Sequence, residues 1–206
     1  MSIRQIAQEL ECNFNTSGET VIHPEDLVFI ENNIKEPKYR TGFDRNFWIW
    51  EECKPENTYM ITADVARGDG QDYSVFHVFK LETAEVVAEY QGKVAPDIFA
   101  NVLCDAGKEY GHCMMVVENN SVGFAVLEKL KDMQYPNIYY SIKSSHEYVD
   151  QLTAEHTSNS VAGFTTSLKT RPIIVSKMEE FIRNKLITTY SSRLYNEFKT
   201  FIWNNG

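Results

Sequence analysis

The sequence predicts an α/β protein built on a five-stranded mixed sheet flanked by helices. Three observations carry that reading. Three runs of strand character, Tyr59–Val65, Tyr73–Lys80 and Glu85–Tyr90, follow one another through tight connections, which makes them an antiparallel meander. Beyond them the apolar periodicity alternates as helix–strand–helix–strand–helix. Finally, two apolar runs end in an acid: Tyr59-Met-Ile-Thr-Ala63 in Asp64, and Met114-Met-Val-Val117 in Glu118.

In order along the chain, residues 2–10 have helical character, which breaks at 13–18. Residues 19–58 read as irregular, punctuated by Pro24, Pro37 and Pro55 and carrying the aromatic group Phe47, Trp48 and Trp50. That group is read as a packing surface in preference to a platform for stacked bases. The expected division is an entry segment at 1–58 and a main domain at 59–206. Within the second strand Val75, His77 and Phe79 alternate, so His77 reads as an ordinary strand residue. Pro96 opens a helix with Ile98, Phe99, Val102, Leu103, Ala106 and Tyr110 on its apolar face, closed by Gly111. After the strand Met114–Glu118, Asn119, Asn120 and Ser121 read as the cap of a helix bearing Val122, Val126, Leu127 and Leu130. Ile138–Ile142 is the fifth strand. A polar segment at 143–168 contains His146 and His156, which read as solvated in preference to a phosphate or metal role. It leads to a helix over Thr170–Asn184, a short strand at Leu186–Tyr190 and a last helix carrying Leu194, Phe198 and Phe201. This order matches the ribonuclease-H-like fold, which places its acids on its first and fourth strands.

With 206 residues, 43% of them hydrophobic and 13% aromatic, the chain is long enough to bury one core. Its 29 acids against 20 bases give a net charge of −9, which excludes a uniformly basic nucleic-acid sleeve and leaves only local contacts to DNA. The four cysteines, Cys12, Cys53, Cys104 and Cys113, lack the spacing of a zinc site or a disulfide framework. The first residues do not form a signal peptide, and no run reaches membrane-spanning length. A soluble intracellular protein is expected.

An acid at the tip of a buried strand is costly unless something compensates its charge. Two of them converging from neighbouring strands can share divalent metal ions through hard oxygen ligands. Asp64 and Glu118 are therefore the candidate catalytic and metal-binding pair. Glu118 can alternatively serve the amides at a helix start. Asp72, in the acidic turn Gly68-Asp-Gly-Gln-Asp-Tyr73, is either a further ligand or a solvated turn residue, and Asp69 reads as a turn former. The candidate phosphate contacts are Arg67 in that loop, Lys143 at the end of the fifth strand, and Lys169 and Arg171 at a helix start.

Several segments also resemble one family, the nuclease domain of the large terminase subunit of tailed bacteriophages, in its contractile-tailed branch. Residues 5–22 are similar to the linker that follows the motor domain there. Ala63-Asp-Val-Ala-Arg-Gly-Asp-Gly-Gln-Asp-Tyr-Ser74 resembles the first nuclease motif and Val117-Glu-Asn-Asn-Ser-Val-Gly123 the second. Segments 163–172 and 196–203 resemble the tail of that domain.

The resemblance implies a metal-dependent endonuclease that cuts concatemeric double-stranded viral DNA during packaging. It also implies two Mg2+ or Mn2+ ions per complete site, an all-oxygen donor set favouring these over zinc. The implied partners are the portal protein, the small terminase subunit and the ATPase motor of the same polypeptide. The place of action would be the host cytoplasm, transiently at the portal vertex. This stretch has no G-x-x-x-x-G-K-[ST] loop: neither Gly92-Lys93 nor Gly107-Lys108 is followed by Ser or Thr. It therefore corresponds to the nuclease half. The family's third acid lies in a His-Asp-Asp-like motif, and this sequence reaches Gly206 before any such motif, so truncation there is expected. Two other readings stay open. One is a catalytically silent DNA-guiding or portal-docking module, the other a ribonuclease-H-like resolvase or transposase core.

Overall fold

Strict alternation in Tyr59–Asp64 (β3) sends Tyr59, Ile61 and Ala63 into the core and leaves Met60 and Thr62 half-buried on the opposite face. The same period runs through Ser74–Lys80 (β4), where Ser74, Phe76 and Val78 are buried. The computed structural model describes residues 20–120, 122–142 and 160–203. The expected helix at 2–10, most of the linker-like segment 5–22, Ser121, Lys143, His146 and His156 lie outside the described residues. The chain divides into two units, residues 37–171 and residues 1–36 with 172–206.

The first unit is organised by one sheet. Tyr39–Thr41 (β1) and Phe47–Ile49 (β2) form a hairpin, and β2 pairs antiparallel with Glu85–Gly92 (β5). The β3–β4–β5 meander is antiparallel throughout, and Met114–Val117 (β6) joins β3 in parallel. The spatial order is β1-β2-β5-β4-β3-β6. Parallel pairing needs a crossover, which Pro96–Glu109 (α2) supplies, with Pro96 at the first helical turn as expected. Phe99, Leu103 and Ala106 of α2 and Val126, Leu127 and Leu130 of Gly123–Asp132 (α3) bury against the inner sheet face. Tyr140–Ile142 (β7) and Ser160–Ala162 (β8) form a separate antiparallel pair. Bridges from Met115 to Ile138 and from Glu118 to Phe164 extend the sheet beyond β6.

Several expectations are corrected. The main sheet has six strands, not five: residues 39–49, expected to be irregular, add β1 and β2, while the expected fifth strand, Ile138–Ile142, shortens to Tyr140–Ile142 and pairs with β8 in a separate two-stranded sheet. The aromatic group, by contrast, packs as expected: Phe47 and Trp50 are buried and Trp48 is half-buried. The sheet thus begins ahead of residue 58. Ile98 is exposed although expected on the apolar face of α2. The helix after Glu118 has Val122 at its cap position with no side-chain capping bond, and the two asparagines bond elsewhere.

In the second unit, Pro24–Asn33 (α1) also falls in the segment expected to be irregular. Pro24 opens this helix, and His23 caps it by accepting from the Glu25 N–H. Thr170–Arg183 (α4) and Ser192–Thr200 (α5) match the expected helices, and the Ser191 hydroxyl caps α5 by accepting from the Arg193 and Leu194 N–H groups. Val21, Ile22, Leu27, Ile30 and Ile182 form its core. Leu186–Tyr190 is not a strand; only Thr188 makes a bridge.

Candidate metal centre

Parallel register aligns Ala63 of β3 with Val117 of β6. The next residue on each strand is an acid, and the Glu118 N–H donates to the Ala63 carbonyl at 2.9 Å, extending the ladder to Glu118 itself. By alternation both acids project from the sheet face opposite the helices, close enough that the Glu118 carboxyl acts directly on that of Asp64. The carboxyl of Asp64 is pushed up to about 6, first by desolvation at the strand end, then by the hydrogen bond and charge of Glu118. The Val65 N–H works in the opposite direction, and the charge of Asp72 adds to the rise. Asp64 still meets solvent, so the sheet shields it on one side only.

Close packing fixes the Glu118 main chain. Gly163 has φ +82°, and a Cβ there would meet the Val117 carbonyl oxygen at 2.5 Å and Leu127 Cδ1 at 2.6 Å. At Gly123 a Cβ would collide with the carbonyl oxygen of Glu118, so the start of α3 closes directly onto the strand end. The following asparagines are tied to the returning segment. Asn119 Nδ2 donates to the Ala162 carbonyl at 3.0 Å, while its Oδ1 accepts from Thr165 Oγ1 at 3.0 Å. Asn120 Nδ2 donates to Glu118 Oε1 at 2.9 Å and to the Thr166 carbonyl at 3.1 Å. On the Asp64 side, buried Ser74 holds the loop: its Oγ accepts from the Ala66 N–H at 3.0 Å and lies 3.3 Å from the Ala66 carbonyl.

The other expected site residues are placed unevenly. Asp72 is exposed and near enough for its charge to act on Asp64, but among the described residues no group of three or more His, Cys, Asp or Glu gathers to hold an ion. Arg67 is exposed and pairs with Asp69 at 3.4 Å, so Asp69 does more than form a turn. Lys169 and Arg171 are exposed at the start of α4. There Ser167 and Thr170 exchange bonds, Ser167 N–H to Thr170 Oγ1 at 2.8 Å and Thr170 N–H to Ser167 Oγ at 3.1 Å. His77 bonds Glu89 at 3.2 Å on the neighbouring strand, a structural pair. Asn119, Asn120 and Ser74 were not singled out as site residues; the Asn-Asn pair directly after an acid was the available signal.

Two hard carboxylates held side by side suit a divalent cation, which would replace their mutual repulsion with attraction to a shared charge. The arrangement defines a class: a ribonuclease-H-like α/β fold with acids on a central strand and its parallel neighbour. Solved structures share this fold. The large terminase nuclease of thermophilic phage G20c with bound magnesium superposes with a TM-score of 0.67 at 18% identity, covering 92% of this chain and 84% of that one. The cobalt-bound form gives 0.67 at 19% identity over 92% and 84%. The zinc-bound form gives 0.62 at 19% identity over 87% and 89%, so that nuclease accepts zinc as well. In sequence, the chain is similar to the large terminase subunit of Thermus virus P23-45, 35% identical over 84 residues, which are 40% of this chain and 17% of the relative. The large terminase subunit of Thermus phage G20c matches at 34% over 84 residues, again 17% of its length. The chain thus spans a small part of the curated relatives it matches. No family model matches it. Among the described residues no helix is long and apolar enough to cross a membrane.

Proposed function

We propose that this chain is the nuclease domain of a phage large terminase subunit, an endonuclease that uses divalent metal to cut concatemeric double-stranded DNA during genome packaging. The observation that carries the reading is the pairing of the Asp64 and Glu118 carboxyls at the ends of parallel strands. The similarity to large terminase subunits supports it. Asp64 and Glu118 would hold Mg2+ or Mn2+, two ions in the complete site, with Asp72 as a further oxygen donor. Bound ions supply Lewis-acid activation for phosphodiester hydrolysis. The chain's own contribution is to set the spacing of the acids by sheet register and to present phosphate contacts beside them. Arg67, Lys169 and Arg171, together with Lys143, are proposed for those contacts.

In the whole protein, residues 1–58 would follow an ATPase motor, and the portal protein and the small terminase subunit would be its partners. The work would take place in the host cytoplasm at the portal vertex. The test is nicking of supercoiled plasmid in Mn2+ by the wild-type chain and by Asp64→Ala and Glu118→Ala. Metal-dependent nicking lost in both variants is the expected result, with ATP hydrolysis by the full-length protein largely kept. Cleavage that survives both substitutions would place the chemistry elsewhere. DNA binding without nicking by the wild type would favour a guiding or docking module, and junction-selective cutting a resolvase.

A further inference from the structure

We infer that Asn120 is the positioning residue for the metal-binding carboxylate Glu118, an inference that rests on the nuclease reading and deepens it. Its side-chain amide nitrogen has two hydrogens, and both are used: one on Glu118 Oε1 at 2.9 Å, the other on the Thr166 carbonyl at 3.1 Å. Both partners are acceptors, so only the nitrogen can face them, and the orientation of the amide is determined. One oxygen of Glu118 is thereby held while lone pairs remain for Asp64 or an ion.

The second bond gives the arrangement its rigidity. Thr166 lies on the segment that returns beside β6, anchored by the Phe164 N–H to the Val117 carbonyl at 2.8 Å and by the Asn119 N–H to the Phe164 carbonyl at 2.9 Å. Asn120 is exposed, so its bond to Glu118 would be weak if the side chain were free to rotate. With the Thr166 carbonyl as a fixed second point, the amide becomes a strut between the acid and a segment anchored to the sheet at Phe164. The same strut links Glu118 to the segment that runs through Lys169 into the first turn of α4 with Arg171. Groups of this kind set the affinity of a metal site by fixing the rotamers of its ligands, and their loss typically costs 10- to 100-fold in metal binding.

The experiment is a calorimetric Mn2+ titration of the 206-residue chain, paired with plasmid nicking as a function of Mn2+ concentration. Asn120→Ala and the near-isosteric Asn120→Leu both remove the donor. Each is expected to weaken Mn2+ binding about tenfold. Each should also move the half-saturating Mn2+ for nicking by the same factor, with most of the rate recovered at saturation. Asn119→Ala, which loosens the same segment without touching Glu118, should lower the melting temperature and keep Mn2+ affinity. Wild-type Mn2+ affinity in both Asn120 variants overturns the proposal, as does an equal loss in Asn119→Ala. Asp64→Ala in the same titration separates the readings. If Asp64→Ala loses Mn2+ and the Asn120 variants do not, only the role of Asn120 fails; if Asp64→Ala keeps it, the metal-centre reading fails as well.

Discussion

Asp64 and Glu118 are neighbours because Ala63 and Val117 pair in parallel and the Glu118 N–H continues that ladder to the Ala63 carbonyl. In the absence of a cation the two carboxyls repel each other across a partly desolvated strand end, which raises the free energy of the folded state. Replacing one should therefore act in opposite directions on function and stability. Asp64→Asn is expected to abolish Mn2+ binding and nicking while raising the metal-free melting temperature by about 2–4 °C. Calorimetric melts with and without Mn2+ check both halves. A variant that melts lower than wild type would mean that the pair is not strained.

The pH dependence follows from the same pair. Asp64 has its carboxyl raised from 3.8 to about 6 in the folded chain, so between those values the folded state binds the extra proton. The stabilisation from that proton is complete below 3.8 and is lost as pH rises through about 6. The metal-free protein should thus lose stability across this window as pH increases. Added Mn2+ should reverse the trend, because it binds the ionised form and stabilises by mass action above pH 6. Melting temperature against pH, with and without Mn2+, gives two curves that diverge as pH rises. Curves that stay parallel would contradict the raised carboxyl.

Much of this was legible because β3, β4, β5, α2 and β6 each carry enough residues to display a period. Alternation in Tyr59–Asp64 and the termination of both apolar runs in an acid pointed to a shared sheet edge. By contrast β1 and β2 have three residues each, too few to show alternation, and were lost among Pro37 and Gly42. Pro24 read as a breaker when it occupied the first turn of α1, where its missing N–H costs nothing. Asn120 was hidden for a different reason. An asparagine ahead of a helix is an ordinary cap, and its second partner, Thr166, is 46 residues further along.

The close approach of Gly163 to the strand end makes it intolerant of a side chain. Gly163→Ala combines an unfavourable left-handed backbone with contacts to the Val117 oxygen and Leu127 Cδ1 at 2.5 and 2.6 Å. It should cost about 2–4 kcal/mol in denaturant unfolding and weaken Mn2+ binding by displacing Glu118. Gly70→Ala is the contrast: nothing lies within 4 Å of its added Cβ, so a change within about 0.5 kcal/mol is expected. Similar losses in both variants would show that the close packing at Gly163 is not what constrains the strand end.

Away from the acids, Lys80 links three chain segments. Its ammonium pairs with Glu85 at 2.5 Å across the β4–β5 hairpin and with Glu51, just after β2, at 3.2 Å. The side chain of Lys80 is only 11% exposed, so the pairs are shielded from salt and rotationally confined. Its pKa is raised above the usual lysine value, first by the bond to Glu85, so this stabilisation holds below that value and fades only at strongly alkaline pH. Lys80→Met keeps the stem but leaves Glu51 and Glu85 without their shared cation. A loss of about 1–3 kcal/mol is expected, changing little between low and moderate salt. Arg183→Met, which breaks an exposed pair with Glu179, should have a much smaller effect, one that shrinks further as salt is added. Urea unfolding of the two variants at two ionic strengths makes the comparison. Equal salt sensitivity would mean that the Lys80 cluster is as solvated as the surface pair.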